Sequence, residues 1–62
     1  MPLKAKRILL GIKTQKDLSI LSGVGVNTIV KLEKGDIDSV SVGTLKKISK
    51  ALGTPIQELF FD

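Results

Sequence analysis

Sixty-two residues, 42% of them apolar, suffice for one small domain whose core only narrowly offsets chain entropy. The chain has no cysteine and no histidine and only six scattered Asp/Glu, which argues against a disulfide framework, a cysteine-held zinc ion and histidine acid–base catalysis. Ten Lys/Arg bring the formal charge to +4 and the pI to about 9.7, a balance that favours a polyanionic partner. The first sixteen residues hold Lys4, Lys6, Arg7, Lys13 and Lys16 with no acid among them.

Glycines at 11, 23, 25, 35, 43 and 53 punctuate the chain into short segments. In the first, about 2–10, helical spacing puts Leu3, Arg7 and Leu10 on one side with Ile8 and Leu9 beside them. Pro2 suits a first turn, and Gly11 suits the left-handed position after a helix end. The cations followed by Ile8-Leu9-Leu10 look faintly like a signal peptide. Gly11 and Lys13 interrupt the apolar run too early for an export or membrane segment, so a cytoplasmic location is expected.

Thr14 reads as an N-cap, with Asp17 as its capping-box partner. It opens a helix over about 15–22 that would bury Leu18 and Leu21 before Gly23. The next helix, about 26–34, buries Ile29 and Leu32 at i,i+3 spacing and ends at Lys34-Gly35. Two short helices joined by Gly23-Val24-Gly25 have the layout of a DNA-reading helix-turn-helix.

Asp36–Val40 is a mixed loop. Asp36 and Asp38 imitate the start of a calcium loop, but Lys47 stands where that loop needs its glutamate. Ser41 caps a helix over about 42–52, with Val42, Leu45, Ile48, Ala51 and Leu52 at helical spacing. Thr54-Pro55-Ile56-Gln57 then supplies cap, first-turn proline and capping-box partner for a last helix over about 55–60. Strand signals are weak throughout. The expectation is one all-α domain of five helices over 1–62.

Lys6-Arg7-Ile8, Leu10-Gly11, Thr14-Gln15, Thr28-Ile29, Leu32-Glu33-Lys34-Gly35, Thr44-Leu45, Ile48, Ala51-Leu52-Gly53 and Glu58-Leu59-Phe60 form an ordered set over nearly the whole chain. It resembles the phage-repressor-like helix-turn-helix family, the Xre or Cro-repressor type. The resemblance implies a compact five-helix, lambda-repressor-like domain whose third helix reads DNA. It further implies a sequence-specific transcriptional regulator, a repressor occupying a promoter, with no enzymatic activity, cofactor or small-molecule ligand. The turn from Gly11 to Thr14 is one residue longer than the closest pattern, and Ser22 replaces an apolar residue. Asp36 and Asp38 sit where basic or neutral groups are usual.

Position in the motif makes Val26, Asn27 and Lys31 the base-facing candidates, with Gly25, Thr28 and Val30 nearby. Asn27 suits an adenine edge, Lys31 a guanine and Val26 a thymine methyl. Thr14, Gln15, Lys16, Thr28 and Lys34 are the candidates for the DNA backbone, aided by the N-terminus of the second helix. Arg7 and Glu33 match a family ion pair tying the reading helix to the scaffold. Leu59, Phe60 and Phe61 are expected to support a weak or DNA-assisted homodimer on a palindromic operator of double-stranded DNA, with half-sites about 34 Å apart. The alternative is a protein-interaction module or antitoxin that keeps the fold but takes a protein as its main partner.

Overall fold

The computed structural model describes residues 3–61, and Pro2, expected in the first helical turn, lies outside them. Among the described residues the chain forms α1 (Leu3–Leu9), α2 (Gln15–Ser22), α3 (Val26–Glu33), α4 (Val42–Leu52) and α5 (Ile56–Phe60), with no strand. α2 packs on α3 and α4, α1 on α3 and α5, and α4 on α5. The shared core is Leu3, Leu18, Val24, Ile29, Leu32, Leu45, Ile48, Leu52, Leu59 and Phe60. Ile12, Ile37, Val40, Ala51 and Ile56 pack against its edge.

Local chemistry sets most helix ends. α1 stops in a Schellman turn: Gly11 N–H donates to the Ile8 carbonyl and Ile12 N–H to the Arg7 carbonyl, both at 3.0 Å. Gly11 takes φ +82° there, a conformation a side chain disfavours. Leu10 consequently leaves the inner face on which helical spacing puts it, and its side chain is exposed. Ile12, beyond the turn, packs against the core instead.

Thr14 caps α2 in extended conformation, its Oγ1 accepting from Asp17 N–H at 3.0 Å. Leu18 is buried, but Leu21 is exposed, against expectation. The inward side of α2 is Gln15, Leu18, Ser19 and Ser22, and Leu21 falls on its flank. Ser22 tolerates this partly buried position because its hydroxyl donates to the Leu18 carbonyl at 2.7 Å and accepts from Val24 N–H at 3.2 Å. Val24, in the turn itself, supplies the apolar contact that Leu21 does not.

Ser41 caps α4 by accepting from Thr44 N–H at 3.2 Å. Leu45, Ile48 and Leu52 face inward, while Val42, expected among them, is exposed in the first turn. The cap expected at Thr54 is also displaced: Pro55 is the N-cap of α5, with no side-chain cap bond. Thr54 is buried and serves the helix before it. Its Oγ1 donates to the Leu52 carbonyl at 3.0 Å, and its own carbonyl accepts from Ser49 Oγ at 2.6 Å.

Candidate nucleic-acid interface

The helix-turn-helix is α2, the turn Gly23–Gly25 and α3. Gly23 has φ +74° and donates its N–H to the Ser19 carbonyl at 2.9 Å, which ends α2 and redirects the chain. Gly25 then caps α3 without a side-chain bond. Ile29 and Leu32 seat α3 in the core. With 100° between successive residues, their burial turns Asn27 and Lys31 outward as an i,i+4 pair, and Lys34 continues the line. All three are exposed. Val26 borders this stripe, 38% exposed, while Val30 and Thr28 are half-buried on its two flanks.

A buried polar clamp fixes this helix. Arg7 Nε donates to Glu33 Oε2 at 2.8 Å, with the two side chains only 5% and 6% exposed. Arg7 Nη1 also donates to the Ile12 carbonyl at 2.9 Å, tying the pair to the turn after α1. Glu33 Oε1 accepts from Gln15 Nε2 at 2.9 Å, so one carboxylate joins α1, α2 and α3. Both carboxylate oxygens are occupied. Among the described residues no buried side-chain nitrogen or oxygen lacks a partner.

The Gln15–Glu33 bond spans residues 18 apart, and nothing in the local pattern marks it. Position in the motif implies that Gln15 points outward to a phosphate, yet one of its amide hydrogens is turned inward to Glu33. The other remains for a second acceptor. Thr14 is similarly placed. Its oxygen accepts from Asp17 N–H, and its hydroxyl hydrogen remains free to donate. At this end of α2, Gln15 and Lys16 N–H groups have no intrahelical partner.

Two of the three residues expected at a dimer surface lie inside the single chain. Leu59 and Phe60 are 1% and 4% exposed in the single chain, because they close the core under α1 and α4. Only Phe61 of that trio faces outward, at 56%. Among the described residues no group of His, Cys, Asp or Glu is arranged to hold a metal ion, and no helix is long and apolar enough to cross a membrane.

A helix-turn-helix family model matches residues 3–59. The chain belongs to that family, in its Xre or lambda-repressor type, and is a DNA-binding helix-turn-helix regulator. No curated protein and no solved structure matches it. The residues that shape the motif are those that fill the core: Leu18, Val24, Ile29 and Leu32.

Proposed function

We propose that the protein is a sequence-specific regulator that lays α3 in the major groove of double-stranded DNA and represses by occupying a promoter. One observation carries the reading: Asn27 and Lys31 form an exposed polar stripe on a helix that the core and the Arg7–Glu33–Gln15 clamp hold in place. Asn27 offers an amide donor and acceptor to an adenine edge, Lys31 a cationic donor to guanine, and Val26 an apolar contact to a thymine methyl. Thr14 and Gln15, each with one hydrogen to spare, grip a phosphate at the N-terminus of α2. Lys16, Thr28 and Lys34 add backbone contacts to either side. A palindromic operator, bound by a homodimer that forms on the DNA, fits the two-fold logic of such motifs.

Selection of bound duplexes from a random DNA pool tests the reading. The expected result is a recurring half-site, with affinity that falls steeply as salt rises, by a log–log slope of about −0.9 per phosphate contacted. Asn27→Ala and Lys31→Ala each cost about 1–3 kcal/mol on that site and relax its sequence at one position. Absence of binding to any duplex at low salt, or a half-site indifferent to both substitutions, sinks the assignment.

A further inference from the structure

The outer face of α1 carries an apolar surface that the DNA reading does not use. Leu3 and Arg7 turn inward, so helical spacing leaves Lys4, Ala5, Ile8 and Leu9 on the outer side. Ile8 is 54% exposed, Leu9 77% and Leu10 47%. Three consecutive large apolar residues at solvent-facing positions break the polar pattern expected of a surface helix. They are not on a frayed end. Leu10 N–H donates to the Lys6 carbonyl at 3.0 Å, the Schellman bonds fix Gly11 and Ile12, and Arg7 Nη1 holds the Ile12 carbonyl. The side chains therefore project from backbone that is already ordered, which lowers the entropy cost of docking.

We propose that this face is a docking surface for an amphipathic segment of a partner protein whose apolar stripe is flanked by carboxylates. Charge selects the occupant. Lys4 and Lys6 flank the patch on α1, Lys13 follows just beyond it, and no acid occurs before Asp17. A second copy of this chain would bring the same lysines face to face, and like charges opposed across an interface are unfavourable. The exposed area of Ile8 and Leu9 is a few hundred Å² at most, well short of the roughly 800 Å² per partner in a stable dimer. An apolar stripe at i, i+3, i+4 and i+7 with Glu or Asp beside it matches both the patch and its rim. The proposal does not rest on the DNA reading, because the inner side of α1 packs on α3 while Asn27 and Lys31 face solvent.

Two synthetic helical peptides of about fifteen residues, one with leucines flanked by glutamates and one with lysines replacing the glutamates, test it against the full isotope-labelled chain. Expected is binding of the glutamate peptide about tenfold or more tighter than the lysine peptide, weakened by salt, with amide shifts centred on residues 8–12. The I8S/L9S double variant loses that binding by about tenfold or more. It keeps the thermal midpoint and the salt-sensitive duplex-DNA binding of the parent, because both side chains are exposed. Four outcomes overturn the proposal: equal affinity for the two peptides, shifts confined to other helices, no binding at millimolar peptide, or binding that the double variant retains. Self-association that the double variant abolishes would make a second copy the occupant. Adsorption to phosphatidylglycerol vesicles in place of peptide binding would make it a lipid surface. Either result replaces the acidic partner.

Discussion

At the scale of single residues, the most consequential side chain is Arg7. It makes two hydrogen bonds, one to the Glu33 carboxylate and one to the Ile12 carbonyl, and is almost wholly buried. Removing one member of such a pair strands a buried charge, at a cost of about 3–5 kcal/mol. A chain of this length has a total stability of roughly 3–9 kcal/mol, so one truncation consumes much of it. Arg7→Ala is therefore expected to lose about 3 kcal/mol or more in a urea titration. Arg7→Met combined with Glu33→Leu should recover most of the loss, since an apolar pair of similar volume strands no charge. Gln15 then loses its acceptor, but it is only half-buried and water can take that place. An Arg7→Ala chain within about 1 kcal/mol of the parent would contradict this account, since that is the scale of one ordinary hydrogen bond.

At the scale of elements, the helix-turn-helix depends on two glycines with different duties. A Cβ built on Gly23 or Gly25 meets no atom within 4 Å. Crowding is thus absent at both, and backbone conformation decides. Gly23 has φ +74°, and an alanine there costs about 1–2 kcal/mol. Gly25 has φ −59°, which any L residue adopts, so Gly25→Ala should cost under about 1 kcal/mol through its weaker N-cap preference. Thermal melts resolve the difference, since 1 kcal/mol moves the midpoint by about 4–8 °C in a domain this small. Equal midpoints for the two variants would mean that the left-handed residue at Gly23 does not govern the turn.

The same locality explains what was legible in the sequence. Thr14, Ser41 and the glycines after α1, α2, α3 and α4 act within four or five residues, so the helix ends can be read from neighbours alone. Which flank of a helix is buried depends on how helices cross, and that is not local. Leu21 and Val42 share the spacing of true core residues but lie to the side of the contact. Thr54 has the pattern of a cap, yet burial turns its hydroxyl back to Leu52. Which of Leu59, Phe60 and Phe61 the core covers is likewise not local, because it depends on α5 packing on both α1 and α4. Within the candidate interface, Asn27 and Lys31 follow from helical period once Ile29 and Leu32 are inside. The Gln15–Glu33 bond, which couples α2 to α3 directly, is a tertiary contact without a local signature.

At the scale of the whole molecule, magnitudes decide how two copies meet. The described residues extend over 26 × 22 × 19 Å, so on the proposed palindromic operator, with reading helices about 34 Å apart, two copies would touch only along their rims. With Leu59 and Phe60 inside each core, Phe61 is what the C-terminal trio still offers. Phe61 exposes roughly 100 Å², and burying two such surfaces contributes at most about 5 kcal/mol. Free association loses about 4–15 kcal/mol of rigid-body freedom, so this contact at best barely offsets that loss in solution. The formal charge of +4 on each copy adds repulsion. On a two-half-site duplex the phosphates offset that charge, and each copy has already lost its freedom to the DNA. Part of the Phe61 contact should then emerge as cooperativity of about tenfold, or 1.4 kcal/mol. The free protein is expected to sediment as a monomer at high micromolar concentration. Phe61→Ser should flatten the two-site binding curve while leaving half-site affinity unchanged. A dimer mass without DNA, or cooperativity that survives Phe61→Ser, would place the two-fold contact elsewhere on the surface.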